Sequence, residues 1–172
     1  MFEEVLNEAG RILKVIAIYP TKGLTLREIS RKSGVSLGKT SEIIELFRKK
    51  EIIRIKQVGK SYLITFNFDN EEAIRLKRSL NISLFLNSEI VDKIIEAYPD
   101  VAVLFGSFEK GFDTEGSDID ILVVGKTVPE LESFMNRKMD IHFFKSFSEI
   151  PEELLESASN GMVICGFLEG RR

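Results

Sequence analysis

Within residues 2–19, apolar side chains fall at Val5, Leu6, Ala9, Ile12, Leu13, Ile16 and Ala17. Steps of three and four place them on one helical stripe. Tyr19-Pro20 closes that helix, because the residue before a proline is pushed out of the helical region. Thr25 and Glu28 have the spacing of a capping box for a second helix near Leu26–Ser33, which Gly34 ends. Ser36 is placed to cap a third over residues 37–50, with Ile43, Ile44 and Phe47 towards the core. After Glu51 the period shortens to two. Ile53 and Ile55, then Tyr62, Ile64 and Phe66, predict two short strands around a turn at residues 57–60. Residues 70–86 return to helical spacing, with Ala73, Leu76, Leu80 and Leu84 on one stripe. Asn87 or Ser88 caps a further helix with Ile90, Val91, Ile94 and Ile95 on its apolar face, ending at Tyr98-Pro99.

The texture then changes to unbroken apolar runs, Val101 to Phe105 and Ile121 to Val124, which read as buried strands. Between them lies Gly106-Ser107, ten residues, then Asp118-Ile119-Asp120. Side chains two apart on a strand share a face, so Asp118 and Asp120 are expected side by side. Paired carboxylates resist joint ionisation, and a hard divalent cation removes that conflict. A glycine at a strand end lets backbone N–H groups approach an anion closely. Met139-Asp140-Ile141-His142-Phe143-Phe144 predicts another strand, with Asp140 and His142 on one face, after a short helix near residues 129–135. His142, the chain's only histidine, reads as a surface or hydrogen-bonded strand residue rather than as a ligand or base. The single cysteine, Cys165, reads as a small buried strand residue.

Composition adds three constraints. A chain of 172 residues that is 44% hydrophobic is globular and long enough for two modest cores. No apolar stretch approaches the ~20 residues of a membrane span, and the acidic start lacks a secretion-signal layout, so the expected location is cytoplasmic. The net charge of −3 conceals a division. Residues 1–70 carry 13 Lys/Arg against 8 Asp/Glu, while residues 71–172 carry 11 against 19. A basic first half suits a polyanionic partner.

Helix, Gly-containing turn, helix and hairpin together resemble the winged helix-turn-helix of MarR- and ArsR-type regulators, here over residues 1–68. That resemblance implies double-stranded DNA as a partner and a homodimer as the default state. Ser36, Lys39, Thr40 and Ser41 in the early turns of the third helix, with Lys56 and Lys60 on the hairpin, are the expected DNA-binding residues. The resemblance treats residues 69–86 as a connecting helix. A winged helix can equally serve as a protein-docking module.

Gly106-Ser107, the ten-residue gap that ends in Ser117, and Asp118-Ile119-Asp120 resemble the signature of the polymerase-β-type nucleotidyltransferase superfamily, in its minimal (MNT-type) branch, over residues 87–172. The resemblance implies an α+β architecture with a mixed sheet flanked by helices. It implies transfer of a nucleotidyl group, AMP from ATP, to a protein or small acceptor. Two Mg²⁺ ions would be held by Asp118, Asp120 and Asp140, with Asp140 serving the acceptor hydroxyl. Gly106, Ser107, Lys110 and Ser117 would hold the nucleotide phosphates. Glu109 stands where alanine is common, placing a negative charge near them. MNT-type proteins often pair with a separate helical HEPN-type protein, some as antitoxins. No such segment occurs in this sequence, so that partner would be another chain. The alternative is a transcriptional regulator whose transferase fold only senses nucleotide.

Overall fold

The computed structural model describes residues 6–128 and 130–167. The chain divides into two compact units, Met1–Leu80 and Asn81–Arg172.

In the first unit, α1 (Glu8–Ile18) starts later than the hydrophobic stripe suggests. Asn7 is extended, and its side chain accepts the Gly10 N–H at 2.8 Å, so the cap sits there. The earlier part of the expected helix, residues 2–5, lies outside the described residues. α2 (Leu26–Ser33) carries the expected capping box, with the Thr25 N–H donating to Glu28 at 2.8 Å. α3 (Leu37–Lys49) begins at Ser36, whose hydroxyl accepts the Lys39 N–H. Strands β1 (Ile53–Val58) and β2 (Ser61–Phe66) pair antiparallel from Ile53 opposite Phe66 to Val58 opposite Ser61. The loop is therefore only Gly59-Lys60, with Gly59 at φ 59°, and Gln57 and Val58 belong to the strand. Leu24 and Ile64 exchange backbone hydrogen bonds at 2.8 and 2.9 Å, fastening the hairpin to the segment before α2. Ile12, Ile16, Ile29, Ile43, Ile44, Phe47, Ile53, Ile64 and Phe66 are buried, each worth roughly 1.5–3 kcal/mol of transfer free energy.

Helix α4 (Glu71–Leu86) forms as expected, but Leu76 is 40% exposed. The buried stripe runs instead through Ala73, Lys77, Leu80, Asn81, Leu84 and Phe85. The boundary between the two compact units falls inside this helix, after Leu80.

The second unit continues with α5 (Glu89–Glu96), β3 (Val101–Phe105), α6 (Gly106–Lys110), β4 (Ile119–Val124), β5 (Met139–Phe144), a 3-10 turn, α7 (Glu152–Ser159) and β6 (Met162–Gly166). Ser88 precedes α5, but its hydroxyl donates to the Phe85 carbonyl instead of capping the helix. The sheet order is β5-β4-β3-β6, with β4 and β5 parallel and the other pairs antiparallel. Strand β3 is buried along its whole length because both faces are covered. Ala102 and Leu104 join Phe85, Ile90, Ile94 and Phe108 in one core. Val101, Val103 and Phe105 join Leu122, Val124, Ile150 and Ala158 in the other.

The crossover from β4 to β5 contains no helix among its described residues, against the expectation for residues 129–135. Phe134 and Arg137 exchange both backbone hydrogen bonds, at 2.9 and 3.0 Å, around Met135 and Asn136. Those two residues have φ of 51° and 61°, which a right-handed helix forbids. Phe134 packs edge-on against Phe85 and Phe108, and this burial favours the turn over another helical stretch. Pro129 lies outside the described residues. Among the described residues no helix is long and apolar enough to cross a membrane.

Candidate functional site

Strand β4 turns Asp120 onto the same face as Leu122 and Val124, at the end where β3 gives way to Gly106. Asp120 pairs with Phe105 on one side and, in parallel register, with Asp140 on the other. The two carboxylates are thus neighbours across adjacent strands. His142 lies two residues beyond Asp140 on the same face, and its Nε2 lies 3.6 Å from Asp140 Oδ2 and 3.8 Å from Asp120 Oδ1. Its ring rests against Phe105, with centroids 5.5 Å apart. Each of the three residues offers a ligand atom, and these atoms lie within 4.8 Å of one another.

Asp118 is placed differently from its expected position. Strand β4 begins at Ile119, so Asp118 stands one residue before it, exposed and outside this group. Its charge nonetheless reaches Asp120. Burial pushes the Asp120 carboxyl above its ordinary value, and the nearby Asp140 and Asp118 charges add to that rise, while His142 opposes it.

Gly106 makes the close approach possible. Its φ is 78°, and a Cβ there would overlap Asp120 Oδ2 and come within 2.9 Å of its Cγ. The chain enters α6 at this bend, with Ser107 half-buried and Lys110 exposed four residues later. Glu109 is 1% exposed, so it turns into the protein rather than towards an exposed phosphate path. Ser117 Oγ accepts the Thr114 N–H at 2.9 Å, so that hydroxyl closes a local turn.

The ten-residue gap is held by a buried pair that the sequence reading did not identify. Asp113 Oδ2 meets Arg137 NH2 at 2.6 Å, both side chains being at most 1% exposed. The Asn81 side chain donates to Asp113 Oδ1 at 2.7 Å and to the Phe108 carbonyl at 3.0 Å. Arg137 also donates to the Met135 carbonyl, tying the gap to the turn that precedes β5. The motif loop and the strand bearing Asp140 are therefore fixed to one another through Asp113 and Arg137.

The donor set fits a divalent cation. Two carboxylates and an imidazole converge, the Asp140 and Asp118 charges disfavour ionisation of the half-buried Asp120, and the missing side chain at Gly106 lets the Asp120 carboxylate sit against the bend. Cys165 on β6 is half-buried and lies outside this group; burial pushes its thiol pKa up.

In the first unit, Ser36, Lys39 and Ser41 are exposed on the first turns of α3, and Lys56 and Lys60 on the hairpin. Lys39 also meets Glu42 at 3.0 Å. Thr40 departs from expectation. It is fully buried, and its hydroxyl donates to the Ser36 carbonyl at 2.9 Å, so it is unable to reach a base edge.

Residues 88–164 match the family model described as nucleotidyltransferase domain. No curated protein and no solved structure matches the chain significantly. The family match covers the segment that contains both strands of the carboxylate pair, and it supports nucleotidyl transfer from a nucleoside triphosphate as the general activity of this segment.

Proposed function

We propose that the second unit transfers AMP from ATP to a hydroxyl on a protein or small acceptor. The observation that carries this reading is the in-register Asp120–Asp140 pair beside Gly106, inside the segment matching the nucleotidyltransferase domain. The acceptor oxygen attacks the α-phosphorus, the bond to the bridging oxygen of the β-phosphate breaks, and pyrophosphate leaves. Asp120 and Asp140 would hold the divalent ions, and Asp118, at the strand entrance, would serve a second ion or the triphosphate. Bound ions, two Mg²⁺ in the simplest case, supply charge neutralisation on the triphosphate. Asp140 lies nearer solvent than Asp120 and takes the acceptor's proton. Ser107 and the backbone around Gly106 hold the terminal phosphates, with Lys110 at the outer end and Ser117 shaping the loop.

The first unit is read as a winged helix. Three helices, a hairpin with a glycine tip and an excess of cations support this, as does the exposure of Ser36, Lys39, Ser41, Lys56 and Lys60. It would bind double-stranded DNA as a homodimer and repress its own operon. The acceptor in that arrangement is a separate helical protein of HEPN type, in a toxin–antitoxin-like pair.

The direct test incubates the protein with α-labelled ATP, Mg²⁺ and the product of the neighbouring gene. Label is expected on the partner, and its retention after Asp120→Ala plus Asp140→Ala would refute the assignment.

A further inference from the structure

We propose that His142 is the third protein ligand of the ion held by Asp120 and Asp140, and that its imidazole makes the site prefer Mn²⁺ to Mg²⁺. This rests on the reading of the carboxylate pair as the ion site of the transferase. The Nε2 separations of 3.6 and 3.8 Å are wider than direct hydrogen bonds. They are suited to a shared ion, because ligands about 2.1–2.2 Å from one centre lie roughly 3–4.4 Å from each other. The parallel register brings this about. Asp120 faces Asp140, and the next same-face residue on β5 is His142, opposite Leu122. The Phe105 ring on β3 lies against the imidazole, whose Nε2 stays within 3.8 Å of Asp120 Oδ1. Asp118, by contrast, is exposed and outside the convergent group.

The chemical consequence concerns which ion is chosen. Mg²⁺ takes oxygen ligands and holds its waters tightly, whereas first-row divalent ions from Mn²⁺ onward also bind nitrogen, Mn²⁺ the most weakly of them. Mn²⁺ accepts carboxylate, phosphate and imidazole in one sphere, so a site of two carboxylates and one imidazole gives it an advantage that an all-oxygen site lacks.

The test uses the full chain loaded with Mn²⁺ and read by pulsed electron paramagnetic resonance. Nitrogen-14 modulation from one directly bound imidazole is expected in the wild type. It should vanish in His142→Ala and in His142→Gln, the latter keeping bulk against Phe105. Calorimetric titration should show the Mn²⁺-over-Mg²⁺ preference falling about tenfold or more in both variants. Mn²⁺ bound without nitrogen modulation in the wild type would overturn the inference while leaving the transferase reading intact. An unchanged metal preference in the variants would do the same. Failure of the wild type to bind either ion, alone or with ATP, would remove both.

Discussion

Gly106 and Asp120 occupy one space: the carboxylate lies where a side chain at position 106 would begin. Alanine there must displace Asp120 and must also hold a φ of 78°, which costs an L residue about 1–2 kcal/mol. Gly106→Ala should weaken divalent-ion binding about tenfold or more by calorimetry. Gly59→Ala is the matched control. It meets a similar φ of 59°, but a Cβ there has nothing within 4 Å, so ion affinity should not change.

The Asp113–Arg137 pair should behave as a structural clamp. Removing one partner leaves the other charged and buried, at a cost of about 3–5 kcal/mol. Asp113→Ala should therefore lower the urea midpoint strongly. Asp113→Leu combined with Arg137→Met should recover much of that loss, because the double change removes both charges. If Asp113→Ala and the double variant lose the same stability, the pair is not the coupling element.

Much of the site was legible because strands have a period of two. The unbroken apolar runs located β3 and β4, and alternation set Asp140 and His142 on one face. What alternation could not supply is register. Only the pairing of Asp120 with Asp140 shows that His142 leans over a neighbouring strand, or that Asp118 falls before the strand begins. Asp113 and Arg137 are far apart in sequence with no periodic signal between them. Nothing about Met135 signals its positive φ, so the turn at residues 134–137 has no signature in the sequence. Thr40 was readable. It continues the spacing of Ile43, Ile44 and Phe47 towards the core, although its side chain is polar.

The capping box at α2 gives a pH-dependent signal. The Thr25 amide, then its hydroxyl, hold the Glu28 carboxyl below its ordinary value. A carboxyl with a depressed folded pKa contributes stability that is present above its unfolded pKa and disappears as pH falls through the folded one. Thr25→Ala should cost about 1 kcal/mol at neutral pH. The stability difference between wild type and Glu28→Gln should narrow as pH is lowered through the acidic carboxylate range, followed by thermal unfolding. A difference that widens on acidification would contradict the assignment.

The exposed cations of the first unit should separate DNA contact from core support. If Lys39 and Lys60 each neutralise one phosphate, substituting either by alanine should lower affinity for duplex DNA and reduce the log–log salt slope by about 0.9. Anisotropy titrations at several salt concentrations measure both. Thr40→Val should act differently. The buried hydroxyl that donates to Ser36 would be lost, lowering stability by about 0.5–1.5 kcal/mol with the salt slope unchanged. Affinity that is insensitive to salt, or a slope unaffected by both lysine substitutions, would remove DNA as the partner of this surface and leave protein docking as the role of the basic unit.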